Sequence, residues 1–73
     1  MTRYLTKAEF TKAKSALTRA KNSGDARKVV DLVDKTFAAW DDAGVAWPDD
    51  WARWQRAKDD AELALAYGTP FRG

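Results

Sequence analysis

The sequence predicts an all-α fold: a compact three-helix bundle or array, one domain over residues 1–73, with short connections ended by glycine. Three observations carry this. Gly24, Gly44 and Gly68 divide the chain at nearly even intervals, and each follows apolar residues at helical spacing. No run alternates apolar and polar residues with the period of a strand, and β-branched residues are few outside Val29-Val30. Four Trp, three Phe and two Tyr supply the bulk that a 73-residue chain without Cys needs, since no disulfide or thiolate zinc site can help it fold.

The first helix is expected over residues 7–22. Thr6-Lys7-Ala8-Glu9 reads as a capping box, with Thr6 accepting from the Glu9 backbone and Glu9 reaching back, while Leu5 and Phe10 occupy the staple positions. Phe10, Ala13, Leu17 and Ala20 then form an apolar stripe.

The second helix is expected over residues 26–43, with Asp25 as N-cap and Gly44 as its stop. Ala26, Val29, Val30, Val33, Phe37 and Trp40 share one broad face that Leu32 widens, so this helix should be central and touched by both others. Asp31 and Lys35 form a favourably ordered i,i+4 pair.

The third is expected over residues 48–66. Pro48 suits a first helical turn, and Asp49 and Asp50 put negative charge at the positive end of the dipole. Trp47, Trp51, Trp54, Ala57 or Ala61, and Leu65 continue one stripe. Gly68 and Pro70 end it and leave a tail over residues 67–73, in which Phe71 either folds back or inserts into a partner.

The run WDDAGVAWPDDWARW holds every Trp of the chain: Trp40, Trp47, Trp51 and Trp54. Trp either builds a small core or anchors an interface. Trp51 and Trp54 are expected in the core. Trp40 and Trp47 flank the connection between the second and third helices, and connections run on the surface, so their burial is open.

Charge divides unevenly. Residues 1–24 carry six bases and one acid, a net of +5; residues 25–50 carry three bases and seven acids, a net of −4; residues 51–73 carry four bases and three acids, a net of +1. On the first helix Lys7, Lys14 and Lys21 make a row at seven-residue spacing, with Lys12 and Arg19 on the opposite side. Those five bases are the alternative, nucleic-acid-binding reading, set against a plain solvated face. A helix-turn-helix at Gly24 is disfavoured because Asp25, Asp31, Asp34 and Asp41 would face the nucleic acid.

Asp41 and Asp42 oppose the dipole in the last turn of the second helix, so local stability does not account for them. With Asp49 and Asp50 they could surround a cation, but the spacing matches no EF-hand loop, and no metal is expected. An acidic rim around exposed Trp is the preferred reading. The candidate protein-binding residues are therefore Trp40, Asp41, Asp42, Trp47 and Asp50.

The absence of His and Cys removes triads, imidazole or thiolate zinc and His acid-base chemistry, and Ser15 and Ser23 lie in no G-x-S-x-G elbow. No enzyme activity and no cofactor are expected. The start MTRYLTKAEF has no apolar signal region and no segment approaches 18 consecutive apolar residues, so a cytoplasmic location without a membrane span is expected. Tyr4, Leu5 and Phe71 leave apolar ends through which a homodimer could form.

The phrase WPDDWARWQRAKDDAELALA, with the preceding LTKAEFTKAKSALTRAKNSGD, resembles small all-helical accessory proteins of actinobacterial phages. The resemblance implies a protein that binds and redirects or inhibits a host protein, with growth inhibition when expressed alone in some cases. It carries over no binding residue.

Overall fold

The capping box forms. In the computed structural model, which describes residues 3–69 and Phe71, Thr6 Oγ1 accepts from the Glu9 N–H at 3.1 Å and Glu9 Oε1 accepts from the Thr6 N–H at 3.0 Å. The Arg3 guanidinium donates to both Glu9 carboxylate oxygens, at 3.0 and 3.3 Å. That bond foremost, with the Thr6 backbone N–H behind it, holds the Glu9 carboxyl at about 2, below its ordinary 4.5.

The chain runs β1 (Arg3–Tyr4), α1 (Lys7–Asn22), α2 (Ala26–Asp42), β2 (Val45–Ala46) and α3 (Trp51–Tyr67). The three helices follow the sequence expectation closely at their starts and ends, with one exception at α3. The Asp25 side chain accepts from the Arg27 and Lys28 N–H groups at 3.0 and 3.3 Å and caps α2. Gly24, Gly44 and Gly68 follow the three helices, all at positive φ. At Gly44 the left-handed turn, φ +66°, redirects the chain so that its carbonyl accepts from the Arg3 N–H at 3.3 Å.

That redirection produces a parallel bridge that the sequence analysis does not contain. Arg3 pairs with Val45 and Tyr4 with Ala46. Two residues per strand carry no alternation to read, so this small sheet leaves no sequence signal. It ties the segment before α1 to the α2–α3 connection and carries Val45 into the core at 6% exposure.

Helix α3 begins at Trp51 rather than at 48. Residues 48–50 form a turn instead, with the Trp51 N–H donating to the Pro48 carbonyl at 2.9 Å and the Arg53 N–H to that of Asp50 at 2.8 Å. Drawing Val45 and Ala46 into the bridge consumes the connection, and the helix starts only after the chain has turned. Pro70, assigned above as part of the helix stop, lies outside the described residues.

Helix α2 is central, as expected, and packs against both α1 and α3. Leu17, Val29, Val33 and Trp54 are the largest fully buried side chains, and Ala57, Ala61 and Ala64 line the α3 side of the core. The Asp31–Lys35 pair is not closed. Asp34 instead meets Lys58 of α3 at 2.7 Å, and that hydrogen bond raises the Lys58 ammonium above its ordinary value. Phe71 folds back and is buried, among the residues that line the cleft containing Leu17 and Ala57, so it is not a free apolar end. Among the described residues no helix is long and apolar enough to cross a membrane.

Two expectations about α3 are corrected. Trp51 is 41% and Leu65 49% exposed rather than core. At roughly 100° per residue, the alanines at 57, 61 and 64 place the buried axis on one side of Trp54, and Trp51 and Leu65 project on the other. The interface with α2 is lined by small side chains around a single Trp, and larger residues fall to its flank.

Candidate functional site

The aromatic residues of the α2–α3 end form a continuous series graded from core to solvent. Trp54 is fully buried and Trp40 is 6% exposed; they meet edge to face at 5.4 Å, and Trp54 also lies 6.0 Å from Phe10 of α1. Phe37, half-buried on α2, lies 5.7 Å from Trp40 and stacks nearly parallel on Trp47, with centroids 4.3 Å apart and planes 12° from parallel. Trp47 then meets Trp51 at 5.8 Å. Trp47 is 37% exposed, with Phe37 stacked on one face and Trp40 tilted against it at 6.4 Å.

The indole N–H of Trp47 donates to Asp41 Oδ1 at 3.0 Å. This supplies the physical account of Asp41 that helix electrostatics lacks: the carboxylate opposes the α2 dipole but fixes a ring on the following connection. Stacking on Phe37 and the bond to Asp41 together set Trp47 in a defined orientation while leaving it open to solvent. Asp42 and Asp49 are exposed and form no ion pair among the described residues. Asp50 sits at the N-cap position of α3 without a side-chain cap bond and lies 3.8 Å from Arg53.

Trp40 therefore has to be removed from the exposed set. It sits on the inward face of α2, three residues beyond Phe37, and serves as the ring against which Trp54 packs. Asp41, Trp47 and Asp50 reach the surface on or beside the connection, as does Asp42 at the end of α2. The sequence reasoning missed Trp51, assigned to the core, and it set Tyr4 at a free apolar end for self-association rather than beside Trp47, where the β1–β2 bridge brings it and leaves it 75% exposed. The angular offset of Trp51 from the alanines was available in the sequence; the placement of Tyr4 was not.

No group of three or more acidic side chains among the described residues is arranged to hold a metal ion, so Asp41, Asp42, Asp49 and Asp50 do not converge. The five bases of the alternative reading are spread over several surfaces. Lys14 and Lys21 line a cleft of about 500 Å³ between α1 and α3 with Arg53 and Arg56, but Asp49, Asp50 and Asp60 line it too. The Lys14 ammonium lies 5.0 Å from the Phe10 ring centre. Lys7 borders a groove beside Trp47 and Lys12 a separate groove beside Trp40, while Arg19 shares a shallow face with Lys14, Thr11 and Ser15.

What the Trp47 end offers chemically is exposed ring faces held in fixed positions beside unpaired carboxylates, groups suited to recognising apolar and cationic side chains. No family model matches the chain, and neither a curated protein nor a solved structure is recognisably similar to it.

Proposed function

We propose that the chain is a non-enzymatic protein-binding module whose contact surface is centred on Trp47 and Trp51, with Tyr4, Asp41, Asp42 and Asp50 around them. The observation that carries this reading is the state of Trp47: 37% exposed, yet stacked on Phe37 and hydrogen-bonded to Asp41. A ring already fixed loses little further freedom on binding, and ordering a mobile side chain at an interface costs about 0.5–1.5 kcal/mol. Trp and Tyr are the residue types that dominate binding energy at protein interfaces. The lack of His and Cys leaves the surface without the usual nucleophile–base pairs, which supports binding rather than turnover.

On the resemblance to phage accessory proteins, the proposed partner is a protein of the bacterial host and the proposed site of action its cytoplasm, with growth inhibition as one consequence of capture. The test is affinity capture from an actinobacterial lysate after nuclease treatment, comparing the native chain with Trp47→Ala and Trp51→Ala, each checked for helicity by circular dichroism. One stoichiometric protein that both variants lose supports the reading. Equal capture by folded variants refutes it.

A further inference from the structure

Beside the Trp47 ring lies a groove of about 680 Å³ at the seam between the β1–α1 segment and the α2–α3 connection. Its walls include Tyr4, Leu5, Phe10 and Trp47, and Asp49 and Asp50 stand among its lining residues. Among the described residues Lys7 is the one base that borders it. The ring of Tyr4 is 75% exposed, Asp49 makes no ion pair among the described residues, and Asp50 is only 3.8 Å from Arg53 at its nearest. On the far side of the connection Asp41 and Asp42 add two more carboxylates, so the run from 41 to 50 contains four acids and no base.

We infer that this groove receives an arginine side chain from an extended segment of the partner protein; the inference rests on the protein-binding reading above and names the chemistry of the partner. Three features select arginine. A guanidinium is planar and stacks on Tyr and Trp faces, where it is attracted by the negative potential of the ring. Its fork of N–H donors matches carboxylates such as Asp49 and Asp50. Its aliphatic stem covers apolar surface, here that of Leu5 and Phe10, while the charged head stays at the rim. An acidic or phosphorylated segment meets like charge at Asp49 and Asp50, and a purely apolar one leaves both carboxylates unmatched.

The test is an NMR titration of the uniformly ¹⁵N-labelled full chain with the probe peptide acetyl-Gly-Arg-Arg-Gly-amide, and in parallel with acetyl-Gly-Glu-Glu-Gly-amide. The expected result is saturable shifts of the Tyr4 amide and the Trp47 indole N–H with the arginine peptide and none with the glutamate peptide. Asp49→Asn with Asp50→Asn should weaken the arginine peptide by about threefold or more, the size of an exposed charge interaction. Asn serves as well as Asp at a helix N-cap, so this variant keeps α3. Equal responses to both peptides, no response at Tyr4 and Trp47, or an affinity indifferent to the Asn variant would each overturn the inference.

The two readings fail separately. Partner capture that needs Trp47, combined with silence toward the arginine peptide, overturns the arginine site and leaves the protein-binding surface standing. Concentration-dependent dimer formation that the arginine peptide does not compete assigns the groove to a second copy of the chain and likewise overturns the arginine site.

Discussion

Replacing Trp54 by Phe should cost far less stability than the burial of its ring suggests. Trp54 is fully buried between Phe10 and Trp40, yet its indole Nε1–H has no acceptor among the described residues. A buried donor left unmade carries a penalty of about 1–3 kcal/mol. Phe keeps a six-membered ring in the site and removes the donor; the apolar area and contacts it gives up are worth about 1–2 kcal/mol. The two effects oppose, so Trp54→Phe should lie between about 1 kcal/mol less stable and about 2 kcal/mol more stable than the native chain. Trp54→Ala removes the ring altogether and should cost about 3–5 kcal/mol. At about 0.05–0.15 kcal/mol per residue a chain of this length has roughly 4–11 kcal/mol in all, so the Ala variant approaches unfolding. Trp40→Phe is the internal control, because no stranded nitrogen is relieved there and only the loss remains. The assay is urea unfolding followed by far-ultraviolet circular dichroism, which is insensitive to the loss of a fluorophore. A shift of 1 kcal/mol corresponds to about 4–8 °C in Tm for a domain of this size. If Trp54→Phe lost more than about 3 kcal/mol, or lost more than Trp40→Phe, the nitrogen would not be stranded and the reasoning would be wrong.

Three further outcomes follow from the geometry. Because the Glu9 carboxyl is held at about 2 in the fold and returns toward 4.5 in the unfolded chain, its contribution is present above 4.5 and lost as pH falls from there toward 2; Glu9→Gln should flatten acid unfolding measured across that window. Gly44→Ala meets no atom within 4 Å but forces a side chain to φ +66°, so it should destabilise by about 1–2 kcal/mol in a thermal melt through backbone strain alone. Asp41→Ala should move and broaden the Trp47 indole N–H resonance and weaken partner capture, whereas Asp41→Asn, whose amide oxygen can still accept, should retain most of both.

The helices were legible because each is signalled by side chains within a few residues of one another. Thr6 with Glu9, Asp25 with the first turn of α2, and the glycines at 24, 44 and 68 are local chemistry, and the broad face of α2 announces which helix is shared. What was not legible depends on residues distant in sequence. Arg3–Tyr4 meets Val45–Ala46 across forty residues, and that pairing delays α3, directs Trp47 onto Phe37 and brings Tyr4 to the same end. Trp51 is a different case: the alanines of α3, which decide the flank of that helix that meets α2, are legible in the sequence and were not used, while Trp40, whose burial the sequence leaves open, faces inward.

The consequence for function lies in the division of labour among these rings. Trp54 and Trp40 together supply core bulk, and either one exposed would leave a cavity at the centre of a small domain. Trp47 stands under no such requirement: 37% of it meets solvent, and its burial contributes correspondingly less to folding. Yet the chain devotes Phe37 to one of its faces and Asp41 to its nitrogen, the latter against the α2 dipole. A ring that served stability alone would gain more from a deeper seat than from an exposed carboxylate that fixes its direction. Asp42 beside it opposes the same dipole and has no intramolecular ion partner among the described residues, so the charge at this end is larger than the fold uses. On the proposed protein-binding reading, fixed orientation and surplus negative charge serve a second molecule that brings apolar surface and positive charge to the Trp47 end.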